Sequence, residues 1–144
     1  MATKENPGEI LHKYGLKVTA TRIRVLDVLI NSPVALSHSD IIGLIDDPMI
    51  DKVTVYRTLN AFTTQGLTHK VANEDRNWLY ALYFHNSNQP ATSDDHAHFI
   101  CRQCERIYCM PITSMNPKPD VREIGGFVIT SHEHRIHGVC PECH

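Results

Sequence analysis

The sequence predicts an α+β chain made of two small units, and three observations predict it. Apolar residues recur at helical spacing through the N-terminal region, and two short β-leaning runs follow them. Histidine and cysteine are unevenly spread: residues 1–84 hold three histidines and no cysteine, residues 85–144 seven histidines and all five cysteines. Between them runs HNSNQPATSDD, His85 to Asp95, a polar stretch with the composition of a linker. The expected units are therefore 1–84 and 96–144, joined by 85–95. At 144 residues and 42% hydrophobic content there is material for two small cores.

The elements follow in order. NPGEILHKYG carries Pro7 at a first helical position and Gly15 just past the end. TATRIRVLDVLINSP begins with Thr19 as an N-cap and sets Ile23, Leu26, Leu29 and Ile30 on one expected core face. SHSDIIGLI opens with a Ser37-x-x-Asp40 capping box ahead of Ile41, Ile42, Leu44 and Ile45. DKVTVYRTLNAFTTQG starts at Asp51 and stops at Gly66, with Val55, Leu59 and Phe62 spaced for one buried stripe. LTHKVA and WLYALYF then flank the polar turn Asn73 to Asn77 as two strands. Helices followed by a hairpin is the order of a winged helix-turn-helix.

With Val55, Leu59 and Phe62 inward, Val53, Arg57, Asn60 and Thr64 fall on the opposite face of that fourth helix, with Tyr56 on the flank. An arginine there can pair bidentately with guanine, and a tyrosine ring can pack on a thymine methyl. The same pattern also describes a solvated helix face, and both readings stand at this point.

The second unit speaks of metal. Cys101-x-x-Cys104 and Cys140-x-x-Cys143 each place two thiolates on one turn, and two such turns together make a four-sulfur Zn²⁺ site of structural type. A redox pair is disfavoured, since no thioredoxin-like pattern surrounds either motif. His96 and His98, two apart, share one face of a strand, and Cys109 lies downstream, so a second ion is expected there. His85, Asp94 and Asp95 are nearby further ligands or plain solvated linker. A net charge of −2 neither announces nor excludes a nucleic-acid partner. No apolar run follows the start MATKENPGEI, so a cytoplasmic, soluble chain without a membrane partner is expected.

Four stretches carry a resemblance: GLKVTATR (Gly15 to Arg22), VTVYRTLNAF (Val53 to Phe62), HAHFICRQC (His96 to Cys104) and HGVCPEC (His137 to Cys143). In these the chain resembles the ferric uptake regulator family of metal-dependent repressors over nearly its whole length. The resemblance implies a winged helix followed by an α/β dimerisation domain, a homodimer, and a palindromic double-stranded DNA operator. It implies no enzyme activity and no organic small-molecule substrate. By position, Tyr56 and Arg57 correspond to the base-contacting pair, with Asn60 one turn on, and Lys17 to a lysine near the minor groove. Cys101, Cys104, Cys140 and Cys143 match the structural zinc site, and His96 and His98 two ligands of the sensory site, to which Cys109 and His85 are added here. His132 matches a further site, with Asp95.

The departures matter too. Ala35 stands near where many members carry a histidine, with His38 three residues on, and Ala81 near where they carry an acidic ligand. Ala97 and Asn116 replace ligands of the further site. Cys109 falls where iron- and peroxide-sensing members carry a carboxylate; soft sulfur beside imidazole favours regulatory Zn²⁺ over Fe²⁺. The expected function is a zinc-sensing repressor whose regulatory ion sits at the domain junction. The alternatives are an iron- or peroxide-sensing member, a zinc-stapled redox protein using the Cys109 thiol, and a zinc-dependent protein-interaction module. Three prolines in MPITSMNPKPDVREIGG oppose a long helix there.

Overall fold

The computed structural model describes residues 6–82, 96–111, 123–128 and 134–144. The chain divides into two compact units, Met1–Tyr83 and Phe84–His144. Among the described residues no helix is long and apolar enough to cross a membrane.

In the first unit, helix α1 spans Pro7–Lys13, capped by the Asn6 side chain accepting from the Gly8 N–H. Helix α2 spans Ala20–Ile30 and begins where the Thr19 hydroxyl accepts from the Arg22 N–H. Its buried stripe is Val25, Leu26 and Leu29, whereas Ile23 is exposed. Leu26 and Leu29 lie on the expected face and Ile30 packs against the core, so the departure is Ile23 alone: a lone apolar residue in the first turn does not fix which side packs. The two-residue strand β1, Leu36–Ser37, leads into α3, His38–Ile45, through a complete Ser37–Asp40 capping box. On α3, Ile41 is fully buried, Ile42 and Ile45 pack against the core, and Leu44 is exposed.

Helix α4 spans Lys52–Thr64 and buries Val55, Thr58, Leu59 and Phe62. It ends in a Schellman motif: Leu67 N–H reaches the Phe62 carbonyl, Gly66 N–H reaches that of Thr63, and Gly66 supplies the positive φ of 78°. The turn reverses the chain into strand β2, Thr68–Ala72, which pairs antiparallel with β3, Trp78–Leu82. Strand β1 pairs with the far edge of β3, giving the order β1-β3-β2. The sequence pattern missed β1 because two residues carry no periodicity. A cluster from Leu11 through Val25, Leu26, Ile41, Leu59 and Phe62 to Tyr80 ties these helices to the wing. Together these elements are a winged helix-turn-helix, with α3 and α4 as the pair.

The second unit is built on a three-stranded sheet in the order β5-β4-β8. Strand β4 (His96–Cys101) is central, antiparallel to β5 (Ile107–Pro111) and parallel to β8 (His134–Gly138). A hairpin of β6 (Glu123–Ile124) and β7 (Phe127–Val128) turns through Gly125 and Gly126, whose φ values of 55° and 84° suit a tight two-residue turn. It ends the proline-rich stretch, of which residues 112–122 lie outside the described ones.

Candidate metal centre and nucleic-acid interface

The parallel pairing of β4 with β8 builds the metal centre. Cys101 closes β4 opposite Gly138 at the end of β8, so both cysteine turns leave the sheet at the same edge. The Arg102 N–H donates to the Gly138 carbonyl at 2.8 Å and locks that junction. The four sulfurs of Cys101, Cys104, Cys140 and Cys143 lie within 4.8 Å of one another. Four sulfurs at ~2.3 Å from one Zn²⁺ stand about 3.8 Å apart; Cys104 and Cys140 are 3.7 Å apart. The Cys140 N–H points at the Cys101 sulfur, 3.4 Å away. Backbone N–H groups of Cys104 and then Cys140 hold the Cys101 thiol down at about 6, so it is anionic near neutrality. The donor set, spacing and amide-to-sulfur bonds all fit a closed structural zinc site. Arg106 and Glu142 pair at 2.9 Å from one cysteine turn to the other, in solvent, where such a pair adds about 0–1 kcal/mol.

On the same sheet, His98 of β4 lies directly opposite Cys109 of β5. Their ligand atoms are within 4.8 Å. His98 is buried, and burial pushes the Cys109 thiol up to about 12. That environment suits a ligand deprotonated by its metal, not a free nucleophile. His96 begins β4, two residues before His98. His85, Asp94, Asp95 and His132 lie outside the described residues, as does Asn116.

One buried histidine escaped the sequence reading. His69 sits in β2, is buried, and lies directly opposite Ala81 of β3. It shares a strand face with Val71, and a histidine at an apolar position of an alternating run was the signal available. His38, which the missing histidine near Ala35 had raised as a substitute ligand, is otherwise employed: its Nε2 donates to the Lys52 carbonyl at 2.9 Å.

The nucleic-acid candidates lie in the first unit. Tyr56 (48% exposed) and Arg57 occupy the exposed side of the first half of α4, and Asn60 one turn on is half-buried. The start of that helix is well fixed. The Asp51 carboxylate accepts from the Thr54 hydroxyl at 2.7 Å and the Val53 N–H at 3.1 Å, and these bonds hold it below the usual carboxylate range. The turn before it is pinned by Arg24 on Asp47 at 2.6 Å, which lowers the Asp47 carboxyl likewise. Lys17 is exposed between α1 and α2, its carbonyl accepting from the Arg22 guanidinium at 3.0 Å.

A winged helix followed by a zinc-type four-cysteine unit defines the class: a metal-responsive DNA-binding regulator. The model of the ferric uptake regulator family matches residues 13–137, and the chain belongs to that family. It is a transcriptional regulator, not an enzyme. It is 27% identical over 138 residues to the Peroxide operon regulator of Bacillus subtilis, covering 94% of this chain and 89% of that one. It is 26% identical, with a TM-score of 0.63, to a Zinc Uptake Regulator complexed with zinc and DNA, over 94% and 88% of the two chains. A Ferric uptake regulator from Pseudomonas aeruginosa with manganese shares the fold at TM-score 0.64 and 20% identity, over 95% and 99%.

Proposed function

We propose that this regulator is a homodimeric, zinc-responsive repressor acting at a palindromic operator. Units 1–84 and 96–144 read DNA and hold metal, respectively, with 85–95 as the hinge. The observation that carries the reading is the buried His98–Cys109 pair on facing strands. Sulfur with imidazole favours tetrahedral Zn²⁺, whereas Fe²⁺ favours harder oxygen ligands and a higher coordination number. His96 and His85 complete the proposed set. Asp95 and His132 form a weaker candidate for a further site. When bound, the regulatory ion supplies fixed bond directions that favour the DNA-competent arrangement over others. In that arrangement the two α4 helices present Tyr56, Arg57 and Asn60 to successive major grooves, and Lys17 approaches the neighbouring minor groove. The likeness to the Zinc Uptake Regulator supports this reading.

The likeness to the Peroxide operon regulator favours a second reading, a peroxide-responsive member. One experiment separates the two. Metal content and affinity for a selected palindromic duplex are measured on one sample before and after mild chelation, then with Zn²⁺, Fe²⁺ and peroxide. Two zinc ions per chain, one removable and required for DNA binding, are expected, and Cys109→Ser should abolish the metal response while the second zinc stays. Binding restored by Fe²⁺ alone and lost on peroxide would establish the second reading. In the zinc-loaded protein, Arg57→Ala should cost about 1–3 kcal/mol at one base position. An unchanged base preference would remove Arg57 from the reading surface.

A further inference from the structure

We propose that His38 is a positioning residue for DNA recognition: it fixes the ring of Tyr56 at the reading face of α4. The inference rests on the proposed role of Tyr56 as a base-contacting side chain. His38 is the first residue of α3, the helix packed before the reader, and it touches α4 twice. Its Nε2 lies 2.9 Å from the carbonyl oxygen of Lys52, the first residue of α4. A carbonyl can only accept, so Nε2 carries the proton, and the ring is anchored to the backbone of α4. The same ring meets Tyr56 edge-to-face, with centroids 6.0 Å apart and an interplanar angle of 87°. That is a favoured geometry for two π-systems.

One imidazole therefore locates both the first turn of α4 and the aromatic side chain four residues along it. Tyr56 remains 48% exposed, so the contact leaves part of the side chain open to a partner. An exposed tyrosine without a neighbour must give up rotamer freedom when it binds. A tyrosine already held by His38 gives up less, and affinity for the matching sequence rises accordingly. His38 thus links the spacing of the helix pair to the aim of one side chain on it.

The test uses zinc-loaded full-length protein and two probes: a duplex selected from a random library by the wild type, and an unrelated duplex of equal length. His38→Ala should weaken binding to the selected duplex by about three- to tenfold and leave the unrelated duplex unchanged. The double variant with Tyr56→Ala should be no worse than Tyr56→Ala alone. His38→Phe keeps a ring against Tyr56 and should recover most of the selectivity; His38→Gln keeps a donor for the Lys52 carbonyl and should recover less. These two variants decide the matter should alanine unfold the protein. Equal losses on both duplexes, additive effects of the two alanine variants, or better rescue by glutamine than by phenylalanine would each overturn the proposal. A Tyr56→Ala variant with full selectivity would instead sink the reading of Tyr56, and the role of His38 with it.

Discussion

The two units solve the stability problem by different chemistry. The first closes over a continuous apolar cluster in which Phe62, Leu11, Leu26, Ile41 and Leu59 are fully buried. In the second, the buried apolar side chains among the described residues are Ala97, Ile100 and Ile107, beside Cys101 and Cys140. Burial at about 25 cal/mol per Å² gives the first unit a core from hydrocarbon alone. Among the described residues the second buries less hydrocarbon, and the zinc proposed at its four cysteines would add a staple. The difference sets where each unit is expected to be vulnerable: one to truncation of a side chain, the other to loss of the proposed ion.

The largest effect should follow from breaking the staple. Structural zinc is worth about 10–16 kcal/mol of apparent binding free energy at neutral pH. Cys140→Ser, or exhaustive chelation, should therefore erase amide-exchange protection in β4, β5 and β8 while the helical circular dichroism of the first unit persists. Strand amides that stay protected after the zinc is gone would show that the second unit has a sufficient core of its own.

The reverse experiment is smaller. Phe62→Ala empties the centre of the first core and should cost about 3–5 kcal/mol. The urea midpoint of the helical signal should fall with zinc content unchanged. Loss of zinc in that variant would mean the two units are not separable in this way. Smaller still, Ser37→Ala removes one half of the capping box at α3 and should cost about 1 kcal/mol. A thermal melt of the first unit reads it, and no effect would mean that packing of Ile41 alone sets the start of α3.

Much of the first unit could be read directly, because its signals are local. Thr19, Ser37 with Asp40, and Asp51 each cap the helix that the sequence placed after them. Val55, Leu59 and Phe62 lie where a 3.6-residue period puts them. The reading failed where a residue's neighbour comes from elsewhere: Ile23 is exposed though its spacing suited a core face. β1 exists because β3 offers it an edge, and His69 gave no local sign beyond its place in an alternating run.

By itself the sequence determined the ligand chemistry: which atoms can bind a soft ion, and that the cysteines come in two pairs, each close enough to share one turn. Distance along the chain could not say that the pairs meet. That was decided when β8 docked parallel to β4, since an antiparallel pairing would carry Cys140 to the opposite end of the sheet from Cys101. The same holds for His98 and Cys109, which face each other because the β4–β5 register pairs those two residues and not their neighbours. Residue type is a property of the chain, but coordination is a property of register, and register is set by hydrogen bonds between strands that the sequence keeps apart.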